Sequence, residues 1–323
     1  MKAQVLKKVQ EFTASASPLE LVSIPMPLPG PREVLVKVSV CGVCHTELDE
    51  IEGRTPPSFF PVVPGHQVVG RVEQLGKEAK ELSPGMRVGI AWINSACGKC
   101  RFCLSGRENL CDSFRATGRD AHGGYAEYMV VQEDFAYPIP EIFTDAEAAP
   151  LLCAGAIGYR SLRLADLRDG ERLGLTGFGA SGHLVLKMVR HLYPRSEVFV
   201  FSRTESERAF ALELGAVWAG GVDEEAPAKL RAIVDTTPAW TPVVHALRNL
   251  EQGGRLVVNA IRKEETDKKV LLSLDYPSDL WMEKEVKSVA NITRQDVREF
   301  LDLAARVPIR PEVQEYPLEK ANL

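Results

Sequence analysis

The chain has 323 residues, 45% hydrophobic and 26% charged, with a formal net charge of -5. That length exceeds the size at which one core keeps growing, so two domains are expected. The composition is that of a folded globular protein, and the negative balance gives no general attraction to nucleic acid or to an anionic membrane. There is no signal-peptide pattern at Met1-Lys2-Ala3 and no apolar run long enough to span a bilayer, so a cytoplasmic location without nucleic-acid or membrane partners is expected.

Up to about residue 150 the chain reads as short apolar alternations, such as Glu33–Val40 and Gln67–Glu73. Turn signals at Pro29-Gly30-Pro31 and Ser83-Pro84-Gly85 separate them. The pattern predicts a mostly β, barrel-like unit. Inside it, Cys97, Cys100, Cys103 and Cys111 form a C-x2-C-x2-C-x7-C run. Four thiolates at such short spacings suit one tetrahedral zinc ion, and Gly98 and Gly106 ease the tight turns. An iron–sulfur cluster is the rival reading, but the fourth cysteine comes seven residues later and no proline follows it. Disulfides or unliganded thiols are the plain alternative. Seven cysteines without a secretion signal fit a reducing compartment, where thiolates bind metal.

After residue 150, apolar runs alternate with helical periodicity. Leu173–Thr176 precedes a glycine turn and a helix through Leu192; Val198–Phe201 precedes a helix over 205–214. Ile233–Asp235, Leu256–Val258 and 286–290 continue the alternation, which predicts a parallel sheet covered on both faces. The turn is Gly177-Phe178-Gly179-Ala180-Ser181-Gly182, a G-x-G-x-x-G between a strand and a helix. Gly177 permits the turn, Gly179 lets backbone approach a pyrophosphate, and Gly182 allows close packing of helix on strand. The helix N-terminus then offers free N–H groups to the phosphates. An acid that binds the ribose hydroxyls of NAD is expected about 20 residues on. The chain instead reads Phe201-Ser202-Arg203-Thr204. Ser202 can hydrogen-bond a 2′-phosphate and Arg203 can pair with it, which favours NADP over NAD.

Three further segments complete a pattern: Cys41-Gly42-Val43-Cys44-His45-Thr46-Glu47, Pro64-Gly65-His66-Gln67, and Pro150-Leu151-Leu152-Cys153-Ala154-Gly155. With the four-cysteine loop and the glycine turn, they resemble the zinc-dependent alcohol dehydrogenases of the medium-chain dehydrogenase/reductase superfamily. The resemblance runs to about residue 310. It implies an α/β chain in which a GroES-like β-rich catalytic domain is joined to a Rossmann doubly wound parallel sheet. The catalytic domain would span 1–150, with 297–323 returning to it, and the Rossmann domain 151–296. Spacing alone leaves Cys41 and Cys44 open as metal ligands. The resemblance selects Cys44, with His66 and Cys153, as ligands of a catalytic zinc, leaving one tetrahedral position for water or substrate. A second zinc would sit in the four-cysteine loop. Thr46 matches the hydroxyl that starts the family's proton relay, Glu47 a carboxylate that orients His66, and His45 a basic contact to the cofactor pyrophosphate. The implied reaction is hydride transfer between a small-molecule alcohol and NADP or NAD, in a homo-oligomer of two or four chains.

Departures from the family pattern are also visible. Gln67 replaces the glutamate that usually follows the zinc histidine, removing a negative charge near the metal. Asp49 stands where many relatives have a relay histidine, so the pH dependence should differ. Ile157 replaces a threonine that contacts the nicotinamide in relatives. The final run, 316–323, resembles the start of a segment that relatives continue, which implies a shortened chain. His122 is expected in a structural turn, His183, His191 and His245 on helices, and the charge run 262–269 in a solvated loop. Two other functions fit parts of the pattern. One is a zinc-independent reductase of quinones or activated double bonds, against which the ligand cysteines speak. The other is a catalytically weak cofactor-binding protein.

Overall fold

A computed structural model describes residues 1–13, 16–307 and 309–323. It divides into two compact units, 1–153 with 292–323, and 154–291. The expected boundaries at 150/151 and 296/297 therefore move to 153/154 and 291/292. The first shift leaves Cys153 in the same unit as Cys44 and His66.

The first unit starts with an antiparallel hairpin of β1 (Lys2–Leu6) and β2 (Leu19–Ser23). β3 (Glu33–Gly42) leads into the short helix α1 (His45–Ile51), and β4 (Gln67–Leu75), β5 (Arg87–Ile90) and β6 (Ile93–Ser95) follow. α2 (Arg101–Leu104) lies in the cysteine loop, then come β7 (Arg115–Ala116), β8 (Tyr128–Gln132), β9 (Ala136–Pro138) and α3 (Asp145–Pro150). Five of these strands form one antiparallel sheet in the order β8-β3-β4-β5-β9. Alternation is what makes this possible: Val34, Val36, Val68, Val72, Val88 and Ile90 all bury into one cluster, closed by Met129 and Phe135.

The second unit begins with α4 (Ala156–Ala165) and β10 (Leu173–Thr176), then α5 (Ala180–Leu192), β11 (Val198–Phe201), α6 (Glu205–Glu213) and β12 (Trp218–Gly220). β13 (Leu230–Asp235), α7 (Thr241–Asn249), β14 (Leu250–Val258) and β15 (Glu285–Ser288) complete it. All neighbouring strands are parallel, in the order β12-β11-β10-β13-β14-β15. This is a doubly wound sheet with its order reversing between β10 and β13, where such sheets bind ligands. β10 and β11 are buried at every residue, as strands covered on both faces must be.

The chain then returns to the first unit as α8 (Arg294–Arg306). Val297, Phe300, Leu301 and Ala304 repeat at helical spacing and are buried. A capping box of Thr293 and Asp296 starts the helix. Glu108, three residues before Cys111, is 1% exposed. Its Oε1 accepts the Arg294 N–H at 2.6 Å and the Arg294 Nε–H at 3.2 Å. Glu108→Ala is therefore expected to cost about 1–3 kcal/mol by leaving those donors unmatched. Urea unfolding of the purified variant checks it, and an unchanged midpoint refutes it.

The run 262–269 is in part the solvated loop expected from its charge pattern, with Glu265, Lys268 and Lys269 exposed, but two of its charges are engaged. Lys263 is buried beside Asp235, donating to its carboxylate and to the Thr237 and Ala239 carbonyls. Asp267 accepts the Trp240 and Thr241 N–H groups, capping α7. Charge on its own could not reveal this, because the partners lie 24–28 residues away in sequence.

Candidate functional site

Three segments bring sulfur and nitrogen donors together in the first unit. Cys44 is the N-cap of α1: its sulfur accepts the Thr46 N–H at 3.4 Å, and its own N–H donates to Glu47 Oε2 at 2.8 Å. His66 stands just before β4, after Gly65 at φ +96°. Any Cβ at Gly65 would come within 2.5 Å of the Tyr125 ring and 2.7 Å of Cys41 Sγ, which is why glycine precedes this histidine. Cys153 lies in a single π-helical turn, 151–155, that continues α3.

His66 Nε2 is 3.5 Å from Cys44 Sγ and 3.4 Å from Cys153 Sγ. All three donor atoms lie within 4.8 Å of one another. Zinc bonds of 2.3 Å to sulfur and about 2.0–2.1 Å to nitrogen, at tetrahedral angles, imply a sulfur–nitrogen edge of about 3.6 Å. The donor set therefore fits one ion without rearrangement of the His66 edges. Cys41 is outside the group; burial pushes its thiol up to about 12.

One carboxylate holds two of the three donors. Glu47, 3% exposed, uses Oε2 on the Cys44 N–H, and its Oε1 is 2.7 Å from His66 Nδ1. Burial raises the Glu47 carboxyl, partly offset by His66. Burial alone would lower His66, but Glu47 and the two sulfurs outweigh it and hold the imidazole above its ordinary range. The hydrogen bond between the cysteines, opposed by burial, sets Cys44 well below the usual thiol range. The same bond, reinforced by burial, sets Cys153 above it.

The other expected residues are placed as follows. Thr46 is half-buried and His45 exposed. Asp49 is buried, with its Oδ1 accepting the Arg54 Nε–H at 2.5 Å, so its carboxylate is tied to a cation. Gln67 is buried, with Oε1 directed at Gly42, where a Cβ would meet it at 2.7 Å. His122 accepts the Val63 N–H at 3.1 Å and packs edge-on against Phe59, the structural role expected of it. The sequence reading missed Glu50, a buried acid on α1. Its i,i+3 spacing from Glu47 was the available signal.

The four-cysteine loop also converges. Cys100 caps α2 and accepts the Cys103 N–H at 3.5 Å. The sulfurs of Cys97 and Cys103 are 3.9 Å apart, and those of Cys100 and Cys103 3.6 Å. Cys111 joins them, all within 4.8 Å. A tetrahedral zinc thiolate has an edge of about 3.8 Å, whereas a disulfide would need about 2.05 Å. All seven cysteines are free. Backbone N–H groups of Lys99 and Cys100 lower the Cys97 thiol to about 6, which favours the thiolate that a metal requires.

In the second unit, Gly177 at φ +81° turns the chain out of β10. A Cβ at Gly182 would meet the Gly177 carbonyl oxygen at 2.6 Å, whereas one at Gly179 would meet nothing within 4 Å. Gly179 thus borders open space at the start of α5, where no side chain caps the helix. A pyrophosphate could be held there by backbone N–H groups. At the end of β11, Ser202 is buried and Arg203 exposed. The sequence placed no carboxylate there, but the fold does: the Ser202 hydroxyl donates to Glu207 Oε2, five residues on in α6. Arg208 Nη1–H donates to the Ser202 and Arg203 carbonyls at 2.9 and 3.1 Å. The acid was hidden because it comes from the next helix and not from the strand end.

Comparison with known proteins agrees with this geometry. The alcohol dehydrogenase GroES-like domain family matches residues 30–141. The chain is 42% identical over 310 residues to "Probable alcohol dehydrogenase AdhA" of Mycobacterium tuberculosis (strain CDC 1551 / Oshkosh), covering 94% of this chain and 88% of that one. It is 34% identical to an alcohol dehydrogenase of Geobacillus stearothermophilus, covering 100% and 94%. Among solved structures, the cobalt- and zinc-bound thermostable alcohol dehydrogenase of Pyrobaculum aerophilum superposes with a TM-score of 0.84 at 25% identity, covering 100% of this chain and 94% of that one. No helix among the described residues is long and apolar enough to cross a membrane.

Proposed function

The chain belongs to the zinc-type medium-chain alcohol dehydrogenase family, and on that footing we propose that it interconverts a small-molecule alcohol with its aldehyde or ketone, using two zinc ions and preferring NADP(H) to NAD(H). The observation that carries this reading is the Cys44, His66 and Cys153 donor set with Glu47 behind it. Two thiolates and an imidazole leave one position of a tetrahedron for an exchangeable ligand, which a purely structural zinc site does not do. Held there by Cys44, His66 and Cys153, zinc would supply Lewis acidity at the substrate oxygen, and the nicotinamide would supply the hydride acceptor or donor.

The chain's own residues do the rest. Glu47 fixes the His66 ring by its Nδ1 and the Cys44 backbone by its N–H, so a single acid sets two ligands. The Thr46 hydroxyl, two residues from Cys44, starts the proton relay: it accepts the alcohol proton as it passes its own O–H proton on toward solvent. Asp49 and Arg54 form the next polar pair. Cys97, Cys100, Cys103 and Cys111 hold the second zinc, which staples the loop.

NADP(H) preference rests on charge at the end of β11. Arg203 is exposed beside the buried Ser202 and Arg208 donates to the Ser202 and Arg203 carbonyls, so a guanidinium stands at the strand end for a 2′-phosphate, with Glu207 on the Ser202 hydroxyl as the opposing charge. The test joins metal analysis with a substrate screen run in NAD and in NADP. Two zincs per chain and faster turnover of simple alcohols with NADP are expected. One zinc or none, with turnover only on quinones or enones, would overturn the reading.

A further inference from the structure

Helix α1 carries a second buried acid that the chemistry above does not use. Glu50 is 1% exposed, and neither of its carboxylate oxygens has a hydrogen-bond partner. It follows Glu47 by three residues, which puts both acids on neighbouring positions of one helix face. Glu47 spends its oxygens on Cys44 and His66; Glu50 spends its own on nothing. Yet Glu50 feels the same centre. Burial first, then repulsion from Glu47, pushes its carboxyl up to about 8, with His66 attracting it and Cys44 repelling it.

An acid removed from water without a partner is costly, and folds tolerate one where something else compensates. Arg119 also attracts the Glu50 carboxylate, but more weakly than His66 does. A divalent cation between Cys44, His66 and Cys153 would be a far larger compensating charge, enough to draw the Glu50 carboxyl into its ionised form. We propose that Glu50 is a positioning residue for metal retention: its buried carboxylate supplies negative charge that holds a divalent cation in the Cys44, His66 and Cys153 centre and slows its loss. This rests on the reading of that centre as a zinc site. The role differs from that of Glu47, which orients ligands; Glu50 touches neither Cys44 nor His66 by a hydrogen bond.

The experiment follows zinc release from the holoenzyme to a chromophoric chelator. Wild type should release zinc in two phases, and Cys153→Ser should lack one of them, which assigns that phase to the catalytic centre. Glu50→Gln is expected to speed that phase by about 10–100-fold, the range seen when an outer partner of a metal site is removed. The four-thiolate phase should not change, and Glu50→Asp should restore slow release. A general packing defect would instead speed both phases, and Asp would not rescue it. Unchanged release in Glu50→Gln, or equal acceleration of both phases, overturns the proposal. Should Gln not fold, Glu50→Leu takes its place with the same readout; failure of both to fold makes Glu50 a structural group and also overturns it. A wild type with one phase that Cys153→Ser leaves intact would sink the zinc-site reading itself, and the role of Glu50 with it.

Discussion

Replacing Cys153 with serine is expected to lower zinc from two ions to one per chain and to abolish alcohol turnover. The fold should survive. The donor set loses one of two sulfurs, and the remaining thiol and imidazole, 3.5 Å apart, make a poor tetrahedral site for an ion that takes four ligands. The loss of activity should exceed the roughly 10–100-fold that removal of an outer partner costs. Cys97, Cys100, Cys103 and Cys111 are a separate group with their own caps and backbone bonds, so their ion should remain. Zinc analysis beside a steady-state assay decides the matter. A variant that keeps two zincs, or one that keeps near wild-type turnover, would show that the chemistry lies elsewhere.

The second large effect concerns cofactor choice. Arg203→Ala should weaken NADP binding on the order of tenfold or more, the size of one charge-assisted hydrogen bond, while leaving NAD binding little changed. Glu207→Gln should act in the opposite direction. It removes the carboxylate bonded to Ser202, so a 2′-phosphate meets less repulsion, whereas a ribose diol loses an acceptor. Fluorescence titration with both reduced cofactors gives the four dissociation constants needed. Equal losses for NAD and NADP in Arg203→Ala would refute the phosphate contact. Tighter NAD binding in Glu207→Gln would show that Glu207 does not face the ribose.

Much of this protein was readable before folding, and the reasons are local. The β10 run, the glycine turn and α5 are contiguous, so sequence order and spatial order coincide. The cysteine loop closes within fifteen residues, and its spacing limited the possible ligands. The doubly wound sheet followed from apolar runs separated by helices, since strands covered on both faces cannot carry polar alternation.

What the chain could not disclose depends on partners distant in sequence or on side chains that cross between elements. Lys263 looked solvated until the fold placed it on Asp235, 28 residues away. Glu108 looked like one more charge in the cysteine loop, yet it anchors α8, 186 residues further on. Glu207 reaches the strand end from a neighbouring helix, reversing the reading of that site as free of acid.

The sequence by itself determined the two-unit α/β architecture, the four-thiolate loop and the glycine cradle, because each is written in short-range spacing or periodicity. Spacing left Cys41 and Cys44 open until the family resemblance chose Cys44; only the tertiary structure decided that Asp49 is tied to Arg54 and that Glu50 is buried without a partner. Those outcomes turn on burial and on distances of a few ångströms between side chains, which one-dimensional order does not contain.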